Sequence, residues 1–153
     1  MRIWIDTEFN GFNGEILSIA LVAEDGDYLY EVFPRILEPV VPWVEQNVMP
    51  QIRQLPSGDE LSILTPKITI KHKISNFLMK YKDIEIIADW PEDVKHLCDL
   101  LIVGPGLAVE TPRKIKFTIC RDLDTISSVP HHAYYDALAN MESTISKEYE
   151  SKS

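Results

Sequence analysis

Arg2-Ile3-Trp4-Ile5-Asp6-Thr7-Glu8-Phe9 leads a β-branched and aromatic run into two acids set two residues apart. Residues 2–6 read as a strand that ends at Asp6. Successive side chains on a strand alternate faces, so Asp6 and Glu8 are expected to project side by side. Two carboxylates that close raise each other's pKa, and a cation between them removes the repulsion. Oxygen ligands of this kind suit Mg²⁺ or Mn²⁺.

The pattern continues outward from this strand. Asn10-Gly11-Phe12-Asn13-Gly14 reads as a turn, and Ile16-Leu17-Ser18-Ile19-Ala20-Leu21-Val22 as a buried strand. Glu24-Asp25-Gly26-Asp27 is a hairpin turn around Asp-Gly, and residues 28–33 alternate as a third strand. Three strands in succession joined by tight turns make an antiparallel meander. Pro42 then opens a short helix through about Val48, and the stretch from Pro50 to Pro66 is turn-rich. A helix is expected from Thr65-Pro66 to Tyr81, with Ile70, Ile74, Phe77 and Leu78 at helical spacing. Ile84 to Ala88 reads as a strand. Glu92 to Leu101 reads as a helix with Val94, Leu97, Cys98 and Leu101 on one face. Gly104-Pro105-Gly106 is a loop, Ile115 to Ile119 a last strand, and a final helix runs from near His131 to about Glu148. The later strand–helix–strand alternation favours parallel pairing with right-handed crossovers. The class is mixed α/β in a single domain over 1–149, with 150–153 a frayed tail.

The 153 residues are 45% hydrophobic, enough for one core. The net charge of −9 disfavours a broad electrostatic grip on a polyanion. An enzyme that meets phosphate through bound metal ions can still be acidic, because the ions supply the local positive charge. No apolar run approaches a membrane span. Asp6 and Glu8 also fall where a signal peptide would need apolar residues, so a cytoplasmic protein is expected. Cys98 and Cys120, without CxxC spacing, read as reduced core thiols.

Two further clusters carry chemistry. Ala88-Asp89-Trp90-Pro91-Glu92-Asp93 places three acids where a strand ends and an amphipathic helix begins. Alone, they read first as capping residues, since a helix N-terminus favours negative charge. His131-His132-Ala133-Tyr134-Tyr135-Asp136 places a histidine on the loop entering the last helix and an aspartate in its first turns. Ala133 and Ala137 are small enough to let that helix approach a neighbour closely.

Asp6-Thr7-Glu8, an Asp at a later strand–loop–helix junction, and His-x-Ala-x-x-Asp at 131–136 resemble, in chain order, the three motifs of the DEDDh 3′–5′ exonucleases. The run Asp-Thr-Glu-Phe followed by Ile-Leu-Ser-Ile-Ala-Leu-Val-Ala-Glu-Asp-Gly, with Trp43-Val44, Val48 and Pro50, is most similar to the short bacterial exoribonucleases called RNase AS. The resemblance covers residues 1 to about 143. It implies a ribonuclease H-like mixed sheet: the antiparallel meander plus parallel strands, flanked by helices. It also implies two Mg²⁺ or Mn²⁺ ions held by Asp6, Glu8, Asp93 and Asp136, with Asp6 between them and His131 as general base. Relatives commonly carry a His-Asn-type segment before the middle aspartate. Here Asp89 and Asp93 compete for that role, and Asp93 is preferred because a helix starts there and Leu97 follows four residues on.

The substrate implied is single-stranded nucleic acid, RNA ahead of DNA, degraded from the 3′ end to nucleoside 5′-monophosphates. Phe9 could stack on a terminal base or pack in the core, and the main chain at Thr7 and Glu8 could bond the terminal ribose. Lys67, Lys71, Lys73, Lys80 and Lys82, and separately Arg113, Lys114, Lys116 and Arg121, could guide a strand, although a solvated face accounts for either group. Family members often form homodimers. The alternatives are a ribonuclease H-like endonuclease, or a degenerate nuclease that serves as a binding module.

Overall fold

The computed structural model describes residues 1–34, 37–123 and 125–153. The strands β1 (Arg2–Phe9), β2 (Ile16–Ala23) and β3 (Tyr28–Val32) form the meander, with both pairings antiparallel. The helices α1 (Pro42–Asn47) and α2 (Lys67–Leu78) follow, then β4 (Ile84–Ala88) and α3 (Pro91–Leu100). A small hairpin, β5 (Ile102–Gly104) and β6 (Leu107–Ala108), precedes β7 (Ile115–Ile119) and α4 (Ala133–Lys152). The main sheet has five strands in the order β3-β2-β1-β4-β7, with β4 parallel to both β1 and β7. The molecule is thus α/β, a mixed sheet flanked by helices.

The alternation of β1 sorts its side chains between two layers. Ile3 and Ile5 join Ile19, Leu21 and Ile86 beneath α2 and α3, where Ile70, Ile74, Leu78 and Leu97 are fully buried. On the opposite face Ala20, Val22, Tyr30 and Val32 meet Val44, Val48, Ile52 and two residues of α4, Ala133 and Ala137. Each buried Ile or Leu side chain contributes about 1.5–3 kcal/mol. Both alanines have no exposed surface, so α4 lies close against β1 and β2 as their size suggested. Register then sets the chemistry: Asp6 stands opposite Ala20 and Glu8 opposite Ser18. Small cross-strand partners leave room for two acids on the α4 face. A one-residue slip would put Thr7 there instead.

Several boundaries differ from the sequence expectation. β1 continues to Phe9, because β2 supplies partners that far, with a register irregularity between Glu8 and Phe9. The 104–106 loop is the tip of a hairpin, with Gly106 at φ 68. The last helix extends to Lys152, beyond the end expected at about Glu148. The buried residues of α3 are Asp93, His96, Leu97 and Leu100, with Val94 and Leu101 partly buried against the same core, so of the face expected from the sequence only Cys98 does not pack inward. Cys98 is exposed, and Cys120 is only partly covered; both are free thiols, but neither is a core residue. No helix among the described residues is long and apolar enough to cross a membrane.

Candidate functional site

Asp6 lies on the central strand β1, where the sheet leaves only 9% of its surface exposed. Asp89 follows the end of β4, the strand parallel to β1. Asp93 sits in the first turn of α3, and Asp136 in the first turn of α4. One cleft of about 530 Å³ is lined by Asp6, Glu8, Asp89, Asp93 and Asp136 together with His131. Carboxylate oxygens of Asp6, Glu8 and Asp136 lie within 4.8 Å of one another. A second group within the same limit is Asp6, Asp89 and Asp93. Asp6 belongs to both. Asp89 and Asp93, alternatives in the sequence, stand together here.

The acids are held by specific contacts. Thr7, on the opposite face of β1 from Asp6, donates its backbone N–H (3.1 Å) and its hydroxyl (2.6 Å) to Asp93 Oδ1. Both hydrogens that Thr7 could offer a ribose are therefore committed to Asp93. Asp93 Oδ2 and Asp6 Oδ2 are buried without a hydrogen-bond partner. Asp136 Oδ2 accepts the backbone N–H of His131 at 3.1 Å. Burial raises the carboxyls of Asp6, Glu8, Asp93 and Asp136. Asp6 is held well above the usual carboxylate range, by burial and then by Asp93 and Glu8. Glu8 is pushed up to about 8 by burial, then by Asp136 and Asp93. Asp93 is pushed up to about 7 by burial, against the lowering effect of the Thr7 bonds. Asp136 is raised by burial, with Ser127 and His131 opposing.

These features fit a divalent cation. Buried polar atoms are normally paired, and an unpaired carboxylate oxygen is costly. Two such oxygens, each in a cluster of three carboxylates, supply the hard donors that Mg²⁺ or Mn²⁺ takes. No Lys or Arg is among the described residues lining the cleft to neutralise them otherwise.

The histidine side of the cleft is built from the turn after β1. Asn10 is buried there; its Nδ2 donates to the Pro39 carbonyl and its Oδ1 accepts from Val41 N–H, both at 2.8 Å. This ties the end of β1 to the start of α1. Gly14 closes the turn, and a Cβ there would lie 2.0 Å from the Asn10 carbonyl oxygen, which only glycine avoids. Trp43 on α1 then meets the His131 ring edge-on, with centroids 4.9 Å apart. The neighbouring His132 is buried, with its Nε2 2.7 Å from the Gln54 carbonyl.

Comparison with protein-family models and with curated proteins finds no match for the chain. What the site can do therefore rests on its residues.

Phe9 lines the cleft and packs on the buried His96 ring at 5.1 Å, so it is neither free nor a core residue. Phe12 and Trp90, 6.5 Å apart, complete the rim, with the Arg121 guanidinium 4.5 Å over the Trp90 ring. The sequence reading did not single out these rim aromatics. The available signal was an aromatic residue in a polar Gly/Asn turn, and Phe12 is 83% exposed. Of the lysines on and after α2, Lys73 pairs with Glu31, Lys80 with Asp27, and Lys71 bonds the Ile102 carbonyl. Those cations brace the fold away from the cleft.

Proposed function

We propose that this protein is a metal-dependent 3′–5′ exonuclease with ribonuclease H-like architecture. Its substrate is single-stranded nucleic acid, RNA ahead of DNA, and its products are nucleoside 5′-monophosphates. The observation that carries this reading is the sharing of Asp6 between two carboxylate triads in one cleft whose wall holds His131. Asp6, Glu8 and Asp136 would hold one Mg²⁺ or Mn²⁺, and Asp6, Asp89 and Asp93 a second. Bound there, such ions lower the pKa of water and neutralise charge on the scissile phosphate.

The chain's own residues do the remainder. An imidazole nitrogen of His131, on the wall of the cleft, removes the proton from the attacking water as general base. The water oxygen bonds to phosphorus, and the 3′-oxygen of the preceding nucleotide leaves with the shortened strand. Phe9, backed by His96, offers a flat face to the terminal base, a contact that any base can make. RNA is favoured because the motif resemblance is closest to exoribonucleases. For a chain of net charge −9, bound ions at the acids would provide the attraction for phosphate.

The test is digestion of matched single-stranded RNA and DNA with Mg²⁺, with the products resolved by size. Mononucleotides released faster from RNA are the expected result. Internal fragments would indicate an endonuclease, and no cleavage of either strand would reject the assignment.

A further inference from the structure

The backbone of His131 is at φ 62, a left-handed conformation that residues with a Cβ rarely adopt unless their surroundings impose it. The surroundings are on the turn that follows α1. Gln51 Nε2 reaches the carbonyls of Pro130 and His131, each at 3.1 Å, and also that of Asn47. Two amide hydrogens are thereby shared among three carbonyls. On the other side, the His131 N–H is tied to Asp136 Oδ2. The same turn is itself anchored, because the Tyr30 hydroxyl bonds the Ile52 carbonyl and His132 Nε2 lies against the Gln54 carbonyl.

We propose that Gln51 is a positioning residue for His131: its amide holds the Pro130–His131 carbonyls and so keeps the strained residue, and the ring it carries, on the wall of the acidic cleft. The catalytic consequence rests on the exonuclease reading given above; the holding of His131 does not. Of the three carbonyls that the Gln51 amide reaches, His131 is the one whose residue lines the cleft; the others belong to Pro130 and to Asn47 on α1.

Four measurements test it. In Gln51→Leu, which keeps bulk without donors, kcat on single-stranded RNA should fall about tenfold with KM unchanged, the scale of one or two lost hydrogen bonds. Gln51→Lys offers three N–H donors to the same carbonyls and should recover most of that loss. In a His131→Ala background, Gln51→Leu should lower kcat no further, since the residue it positions is gone. Independently of activity, the NMR order parameter of the His131 backbone amide should drop in Gln51→Leu and return in Gln51→Lys.

A wild-type kcat in Gln51→Leu overturns the proposal. So does an equal loss in the His131→Ala background, which would mean general damage to the site. An unchanged His131 order parameter overturns it as well. If that order parameter falls in Gln51→Leu but the unaltered protein cleaves no nucleic acid, Gln51 does hold His131 and it is the proposed function that fails.

Discussion

Thr7 and Asp93, 86 residues apart in the chain, are joined by two hydrogen bonds to a single oxygen, Asp93 Oδ1. The other oxygen of that carboxylate is buried and unpaired. Thr7 thus orients Asp93 so that one oxygen is fixed and the other is left for a ligand.

Thr7→Val keeps the β-branched shape but removes the hydroxyl donor. The protein should lose about 1–3 kcal/mol of stability, the range for a bond to a buried carboxyl. Mn²⁺ affinity, measured by calorimetric titration, should weaken by about tenfold, as for other groups that orient a ligand from behind.

Asp6 belongs to both carboxylate groups, so Asp6→Asn should affect both at once. Hydrolysis should fall by about a thousandfold or more, in line with loss of a group on which a whole catalytic set depends. The fold should persist, because the amide is isosteric. The metal-free variant should melt higher than wild type at pH 8, since one of several repelling buried carboxylates has been neutralised. Circular dichroism melts and a nuclease assay together check both outcomes.

The raised carboxyls also set a pH dependence. Glu8 moves from 4.5 to about 8 and Asp93 from 3.8 to about 7. The folded protein therefore holds protons there that the unfolded chain has already released. Their contribution to stability is full below about pH 4 and is lost as pH rises toward 7–8. Among the carboxyls, Glu24 and Asp27, lowered by Arg2 and Lys80, act in the opposite sense at more acid pH. His96 and His132, lowered by burial, lose stability only as pH falls below about 6.5, so metal-free protein should melt lower at pH 8 than at pH 6.5. Mn²⁺ at about 100 times its Kd should raise the midpoint at pH 8 by about 5–10 °C. The rise should be smaller at pH 5.5, where protons compete for the same oxygens.

Asp89 and Asp93 both approach Asp6, but only Asp93 is anchored by Thr7. Asp93→Asn should therefore weaken the second Mn²⁺ equivalent more than Asp89→Asn does, by about tenfold or more. Each should leave the first equivalent, at Asp6, Glu8 and Asp136, nearly unchanged. Calorimetry resolving two equivalents distinguishes these cases.

Much of this arrangement was legible in local sequence signals. Period-two alternation placed Asp6 and Glu8 on one face, and the Asp25-Gly26 turn marked the hairpin of the meander. Ala133 and Ala137 announced the close approach of α4. What escaped were features set by tertiary packing. α3 turns Cys98 outward because Leu97 and Leu100 take the core positions, and His96 is drawn in beneath Phe9. The competition between Asp89 and Asp93 had no local solution, because the convergence of β1, β4 and α3 puts both beside Asp6. Gln51 carries no motif at all. Its role depends on a turn that meets residues 130–131, about 80 positions further along the chain.

The most direct measurement is a time course on single-stranded RNA labelled at its 5′ end, with Mg²⁺, for wild-type protein beside Asp6→Asn. Wild type should shorten the labelled strand one nucleotide at a time from the 3′ end, with nucleoside 5′-monophosphates accumulating, and Asp6→Asn should leave the strand intact. Internal cleavage without mononucleotides, or equal digestion by Asp6→Asn, would contradict a 3′–5′ exonuclease built on Asp6.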